Sequence, residues 1–254
     1  MDIIGNSVAT LFLLILLRYL IIASIGFFSF YGIWKGQKRF RKIQIKFPEN
    51  KDYIRELGYS ILTVIIFTAI GWLVFMTPLK DYTQVYWHLG DHSVGYFFLS
   101  IGLILLIHDT YFYWTHRAMH HPLFFGILHK VHHLSTNPSP WAAFAFHPLE
   151  AVVEASIIVV VVFLLPVHPL AIALFLLIMM IYNVYGHLGF ELYPKGFSTS
   201  KIGRWINTSV NHNQHHQFFK GNYGLYFLWW DRWMGTIRED YDQQFEKVKS
   251  ASGN

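Results

Sequence analysis

Long apolar runs separated by short polar segments make up most of the chain. Five of these runs cover residues 8–34, 59–75, 94–107, 149–165 and 170–185. A helix of about 20 apolar residues spans the hydrocarbon core of a bilayer. The X-Pro steps at Pro166 and Pro169 disfavour helix, so the last two runs predict a membrane hairpin. The pattern therefore predicts an all-α, multi-pass membrane helical bundle with about four to five membrane segments.

Composition and charge distribution agree with membrane insertion. Hydrophobic residues make up 54% of the chain and charged residues only 14%, which is about half the charged share of a soluble protein. A basic run, KGQKRFRK at residues 35–42, directly follows the first apolar run, and such a run marks the cytoplasmic side. We therefore attribute the positive net charge to membrane topology and expect no nucleic-acid partner. Counting crossings from this run predicts that the histidine-rich segments lie on the cytoplasmic side.

We predict one membrane-embedded domain over residues 1–239, with a histidine-rich core at 106–236 and a weakly ordered tail at 240–254. The polar segment 35–56 is predicted to lie along the membrane surface before the second span. The third apolar run continues without a helix breaker into the first histidine cluster. We therefore expect that helix to extend past the membrane surface.

Three compact histidine clusters occur in the motifs HRAMH, HKVHH and HNQHH. Their members are His116, His120, His129, His132, His133, His212, His215 and His216. Positions i, i+3 and i+4 share one face of a helix, so each HxxHH is expected to gather its three imidazoles on one side. Imidazoles at this spacing are ligands for iron or zinc. Eight nitrogens are too many for one tetrahedral zinc, so we expect two metals with about four to five ligands each.

Other chemistries fit this sequence less well. It contains no cysteine, which excludes thiolate-ligated haem, iron–sulfur clusters and cysteine-ligated zinc. A zinc hydrolase would need the glutamate of an HExxH motif, which does not occur. The alternatives from other classes are a metal-binding membrane transporter, whose ligands lie near mid-membrane, and a b-type cytochrome, which needs isolated histidine pairs. Iron held by histidines is suited to activating dioxygen for attack on an unactivated C–H bond.

The three motifs resemble the eight-histidine signature of the fatty acid hydroxylase and sterol desaturase superfamily. The resemblance extends over residues 106–236 and includes HDTYFYWTHRAMHH, LHKVHHLSTNPSPWAAFAFHPLE and NHNQHHQFFKGNYGLYFLWWDRWMGT. The blocks PSPWAAFAFHP and NYGLYFLWWDR are most similar to its sterol desaturase (lathosterol-oxidase-like) branch. The resemblance implies a membrane-bound, non-haem diiron oxygenase with two iron ions and dioxygen as co-substrate. Zinc in the purified protein would reflect displacement of iron during expression.

The resemblance also implies a set of site residues. The metal ligands are the eight histidines of the motifs and His187, which takes the place of a further ligand from the hairpin's second helix. Asn183 stands one turn earlier, where a second histidine would supply a tenth ligand. No catalytic residue is predicted beyond the ligands. The candidates for supporting roles around them are Asp109, His121, His147, Glu150 and Asn183, with a helix-terminus role for Asp109 and a capping role for His147 and Glu150 as alternatives.

The expected partners are a lipid or sterol substrate from the bilayer and a separate electron donor. No HPGG-like haem loop or GxGxxG fingerprint occurs, so we expect electrons from a small cytochrome or ferredoxin with its reductase. A sterol-like substrate is favoured by the branch resemblance, while fatty acyl, sphingolipid and carotenoid substrates are alternatives. Hydroxylation and desaturation begin with the same hydrogen abstraction and stay open, as do the bacterial inner membrane and the endoplasmic reticulum.

Overall fold

The computed structural model describes residues 2–37 and 42–251. Over these residues the chain is helical, and no strand forms beyond isolated β-bridges. The α-helices are α1 Asp2–Phe27, α2 Asn50–Met76, α3 Val94–Met119, α4 Pro122–Leu128, α5 Pro148–Leu164, α6 Pro169–Gly186, α7 Ser209–Phe218, α8 Trp229–Trp233 and α9 Tyr241–Ala251. A π-helical turn, Phe28–Ile33, extends α1. The predicted all-α class is confirmed.

Four of the helices are long and apolar enough to cross a membrane. These spans are Ser7–Ile33, Asn50–Met76, Val94–Met119 and Pro169–Gly186. The fifth apolar helix, α5, is shorter and packs against α2 and α3. A helix whose residues are apolar on nearly every side is stable only when lipid or other apolar surface covers it. The chain is therefore an integral membrane protein, and the predicted bundle is confirmed.

The predicted hairpin is present, while the start of the second span differs from the prediction. Helix α5 ends before Pro166 and α6 begins at Pro169. Helix α2, predicted to begin near residue 59, begins at Asn50. The reason is a capping box, in which Glu49 and Asp52 bind each other's backbone N–H groups, and such a box starts a helix within polar sequence. Residues 50–56, predicted to belong to the polar surface segment, are therefore part of α2.

The C-terminal segment is better ordered than predicted. Residues 241–251 form α9, which packs against α7. Tyr241, Phe245 and Val248 are buried on its inner face, and they recur at the i, i+4, i+7 spacing of an amphipathic helix. The prediction of a weakly ordered tail is wrong for this stretch, and residues 252–254 lie outside the described residues. The division at residue 239 stays a prediction.

Candidate metal centre

All nine histidines predicted as ligands come together in the structure, in two groups. The five-histidine group consists of His116, His120, His129, His133 and His215. The four-histidine group consists of His132, His187, His212 and His216. Within each group the candidate ligand nitrogens all lie within 4.8 Å of one another. The two groups adjoin, since His133 and His216 stack with ring centroids 4.8 Å apart.

Each HxxHH motif is divided between the two groups. In α7, His212 and His216 belong to the four-histidine group and His215 to the other. Positions i and i+4 point within about 40° of each other on a helix, whereas i+3 and i+4 diverge by about 100°. The prediction that each motif gathers its three imidazoles on one side is therefore wrong.

The second motif is also not a regular helix. Helix α4 ends at Leu128, and a 3-10 turn holds His132 and His133. One α-helical bond remains, from the His133 N–H to the His129 carbonyl at 3.3 Å. This bond keeps His129 and His133 in one group, while His132 points into the other.

The separations between ring nitrogens match those of neighbouring ligands on one metal. In the five-histidine group, His129 Nε2 lies 3.0 Å from His116 Nε2 and 3.1 Å from His133 Nε2. In the other group, His212 Nε2 lies 3.1 Å from both His187 Nε2 and His216 Nε2. Two ligands at right angles around a metal that lies about 2.1 Å from each nitrogen are about 3.0 Å apart. The nitrogen separations in both groups would therefore suit neighbouring ligands of one metal ion.

Backbone carbonyls hold the other ring nitrogen of several of these histidines. The Nδ1–H of His116 donates to the Tyr223 carbonyl, and that of His215 donates to the Gly221 carbonyl. His187 donates in the same way to the carbonyl of Asn183. Because a carbonyl can only accept, Nδ1 carries the proton and a neutral ring leaves Nε2 with a lone pair. Lone pairs facing one another at about 3 Å repel, and a cation between them removes the repulsion.

Burial and neighbouring imidazoles lower the pKa of these histidines. They bring the pKa of His120 to about 2, and burial brings that of His187 to about 4. For the same reasons the pKa values of His129, His133 and His212 lie well below the usual value. The rings are therefore neutral at physiological pH, which is the form that binds a metal ion. The donor set fits two metal ions better than a haem or a single zinc.

Two of the five supporting candidates lie at the groups. Glu150 Oε1 accepts from His129 Nδ1 at 2.6 Å, and both side chains are buried. Carboxylates commonly orient metal-binding imidazoles in this way. Asn183 donates from Nδ2 to the Ala143 carbonyl at 2.7 Å, and its side chain lines the cavity beside the four-histidine group.

The other three supporting candidates act elsewhere. Asp109 Oδ1 accepts from the N–H groups of Tyr226 and Phe227, so both the imidazole and the helix-terminus roles predicted for it are wrong. His121 and His147 are the N-caps of α4 and α5 and accept from the backbone two residues on. Neither ring forms a hydrogen bond with a histidine of the two groups, because Nδ1 of each ring accepts from the backbone of the helix that it caps.

The residues that sequence reasoning missed are mostly backbone groups. The Ser135, Gly221 and Tyr223 carbonyls orient ligand rings, and no sequence signal marks a carbonyl. Asp231 holds this region by accepting from the N–H groups of Tyr223 and Gly224. Burial raises the pKa of Asp231 above its usual value.

A small cavity lies against both groups, among α3, α5 and α6. Ligand candidates line one side, and the rings of Phe112 and Phe146 line another. Two carboxyls, of Glu150 and Glu154, complete the lining. Glu154 was not predicted, although a glutamate within an apolar run is itself an indication of function.

The family model described as fatty acid hydroxylase matches residues 101–236. Human lathosterol oxidase is 30% identical over 186 residues, which are 72% of this chain and 60% of the relative. A Delta(7)-sterol 5(6)-desaturase of Gibberella zeae is 28% identical over 221 residues, which are 87% of this chain and 64% of the relative. A third relative, the Delta(7)-sterol 5(6)-desaturase erg3C of Aspergillus fumigatus, is 31% identical over 204 residues, 74% of this chain and 63% of its own.

The chain thus spans about three fifths of the length of the curated relatives it matches. The comparison with solved structures gives no match. The names of the relatives confirm the predicted similarity to the sterol desaturase branch. Because the family match covers more than half of the chain, the protein belongs to the fatty acid hydroxylase family.

Proposed function

We propose that this protein is a membrane-bound, non-haem diiron oxygenase that desaturates a sterol-like lipid with dioxygen and electrons from a separate donor. Two groups of imidazole nitrogens at the separations of metal ligands, both facing one cavity among membrane helices, carry this proposal. Lathosterol oxidase and the Delta(7)-sterol 5(6)-desaturases support the sterol-like substrate. The family description supports fatty acyl hydroxylation as the second candidate.

The nine histidines are the proposed ligands, five for one iron and four for the other. Iron held in this way activates dioxygen for removal of hydrogen from an unactivated C–H bond. In a desaturation the substrate loses two hydrogens and gains a C=C bond, while one dioxygen, two protons and two electrons complete the formation of two waters. Hydroxylation transfers one oxygen atom to carbon and uses the same electrons and protons.

Several side chains and carbonyls of the chain orient the proposed ligands and line the cavity. Glu150 fixes the ring of His129 through its 2.6 Å hydrogen bond, and the carbonyls of Tyr223 and Gly221 fix two further rings. The rings of Phe112 and Phe146 line the cavity beside the proposed ligands. Apolar walls that keep water out protect reactive species from side reactions.

Electrons are proposed to enter through the five-histidine group. His120 alone of the nine histidines is partly exposed, and it contacts the ring of Phe125 at a centroid distance of 5.4 Å. The half-exposed Phe219 contacts His133 at 5.0 Å. A small cytochrome or ferredoxin with its reductase suits this position. We propose the endoplasmic reticulum membrane, with the bacterial inner membrane as the alternative and both groups on the cytoplasmic side.

The test is to purify the protein in detergent from cells grown with iron and to measure its metal content, spectrum and turnover. We expect about two irons per chain and no haem Soret band. With dioxygen, a donor and a Δ7-sterol, mass spectrometry should show a product that has lost two hydrogens. A product that has gained one oxygen supports the hydroxylase instead, while a Soret band or absence of oxidation of every lipid class refutes the oxygenase.

A further inference from the structure

A chain of contacting tyrosine and tryptophan rings connects the five-histidine group with the protein surface. The buried ring of Tyr223 packs against three histidines of this group at centroid distances of 5.7, 5.2 and 5.6 Å, namely His116, His120 and His215. The centroid of the Tyr113 ring lies 6.3 Å from that of Tyr223. These separations are those of aromatic rings in contact. Two tyrosines therefore lead directly away from the proposed ligands.

Tryptophans continue the chain from Tyr113 outward. Trp230 stacks on Tyr113 with a centroid distance of 5.9 Å and an interplanar angle of 21°. Trp233 lies 5.5 Å from Trp230 and is 59% exposed. Trp114 contacts both Tyr113 and Trp230, at 5.3 and 5.5 Å, and is 44% exposed. Among the described ring contacts, Tyr113 is thus the link between Tyr223 and the tryptophans at the surface.

The hydrogen bonds of Tyr113 provide an acceptor for the proton that its oxidation releases. Thr236 donates its single hydroxyl proton to Asp231 Oδ1 at 2.7 Å. The Tyr113 hydroxyl, 2.9 Å from Thr236 Oγ1, must therefore donate to Thr236, since a hydroxyl has one proton to give. When Tyr113 loses an electron, its proton can pass to Thr236 while the proton of Thr236 passes to the buried carboxyl of Asp231. The product is a neutral tyrosyl radical.

The redox chemistry of these side chains determines the direction in which such a chain works. Tyrosine and tryptophan give up an electron only to a strong oxidant, so the chain does not suit the supply of electrons from a cytochrome or ferredoxin. It suits an oxidising centre that has not reacted with its substrate. Desaturation draws two electrons and two protons from the substrate, and without substrate these are missing for the formation of two waters. Unused oxidising equivalents then attack the site itself.

We propose that Tyr223, Tyr113, Trp230 and Trp233 form a relay that supplies these two electrons when no substrate is bound and thereby protects the histidines from oxidation. This inference rests on the proposed function for the oxidising centre. Electrons move inward one at a time, and each leaves a radical on Trp233. An aqueous reductant such as ascorbate restores the tryptophan and becomes dehydroascorbate. One dioxygen gives two waters, with two electrons from the donor, two protons from the medium, and two electrons and two protons from ascorbate.

The experiment oxidises the iron-loaded, detergent-purified protein with hydrogen peroxide in the absence of lipid, so that no electron donor is needed. Peroxide takes two electrons and two protons to form two waters, and the relay supplies them. Freeze-quench electron paramagnetic resonance should show a tyrosyl or tryptophanyl radical, and peptide mass spectrometry should show oxidised Trp233. Ascorbate added with the peroxide should remove both signals, and the metal-free protein should give neither.

Tyr113→Phe keeps the ring but removes the oxidisable hydroxyl, so it should interrupt the relay. We expect loss of the oxidised Trp233 product, oxidation of histidines in the two groups instead, and faster loss of bound iron. Metal content equal to that of the wild type before peroxide is added shows that the variant is folded. Trp87→Phe, which changes an exposed tryptophan outside the chain of rings, is the matched control and should keep the wild-type pattern.

Oxidised Trp233 in Tyr113→Phe at the wild-type level, or in the metal-free protein, would overturn the relay, because the oxidant would then reach Trp233 through solution. Absence of any aromatic radical in the iron-loaded wild type would overturn it as well. A protein that shows the relay but oxidises no lipid with dioxygen and a donor refutes the proposed function and leaves the relay in place. Lipid oxidation without oxidation of Trp233 by peroxide refutes the relay alone.

Discussion

The two histidine groups draw on the same two HxxHH motifs, but each group takes the positions that the other leaves. The five-histidine group takes the i and i+4 histidines of HKVHH and the i+3 histidine of HNQHH, while the four-histidine group takes the complementary members. Each group then draws on one membrane helix at i and i+4. Helix α3 and its C-cap supply His116 and His120, whereas α6 and its C-cap supply Asn183 and His187. The groups therefore differ at one position, where an amide stands in place of an imidazole.

The surroundings of the groups differ as well. The five-histidine group has the partly exposed His120 and the carboxyl of Glu150. The four-histidine group is fully buried and has no carboxylate on its rings among the described hydrogen bonds. The group with more ligands and an ionisable support is expected to hold its metal more firmly. One chain thus offers two unequal groups of histidines that could each hold a metal ion.

Removing one proposed ligand from each group should have the largest effect on metal content and turnover. It should also show that the two groups differ in how firmly they hold metal. His212→Ala leaves the four-histidine group with three imidazoles, so we expect metal content to fall from about two ions per chain to about one, with loss of turnover. His133→Ala leaves four imidazoles in the other group and should retain more metal. Elemental analysis of the membrane-inserted protein measures both.

The matched control for these variants is His88→Ala, which changes an exposed histidine in a loop. It should keep the metal content and the turnover of the wild type. Equal metal loss in His212→Ala and His133→Ala would contradict unequal sites, and full activity in either would contradict the diiron proposal. His132→Ala and His215→Ala, which remove the exchanged histidines, should also abolish turnover.

Glu150→Ala should have a smaller effect, confined to the five-histidine group. Loss of the hydrogen bond to His129 is expected to weaken metal binding there by about 10- to 100-fold. Titration of the metal-free protein with iron, followed by absorbance, measures the change. Leu149→Ala, an exposed neighbour on α5, is the control and should titrate as the wild type does. An unchanged affinity in Glu150→Ala would show that the carboxyl does not support the ligand.

Asn183→His should reduce the difference between the groups. A fifth imidazole in the four-histidine group is expected to slow metal loss to a chelator by about ten-fold. Asn183→Leu removes the hydrogen bond to Ala143 without adding a ligand, and it should lose metal no more slowly than the wild type. Release of metal at the same rate by Asn183→His and Asn183→Leu would contradict this prediction.

His121→Ala should have the smallest effect, because its ring caps α4 and lies outside both groups. We expect unchanged metal content and turnover, with a loss of stability of about 0.5 to 1 kcal/mol. Thermal unfolding followed by tryptophan fluorescence detects this change, and His121→Asn, which preserves a capping side chain, should restore it. Loss of metal in His121→Ala would place the residue among the ligands.

The sequence alone determined the helical spans and the set of histidines. Runs of apolar residues define spans because lipid offers no partner for exposed peptide groups, so the helix forms wherever the run is long enough. Where polar residues control the boundary, as at Glu49 and Asp52, a local capping pattern decided it, and this pattern is visible in the sequence. The spacing within each motif likewise predicted that histidine side chains would lie close together.

Only the tertiary structure decided which histidines share a group and what holds them. The division of each HxxHH depends on how the chain turns after α4 and on where α7 lies against α6. The carbonyls of Gly221 and Tyr223 reach the rings through a loop that Asp231 organises. These contacts join residues distant in sequence, and their geometry follows from packing across the bundle, which no local pattern of side chains encodes.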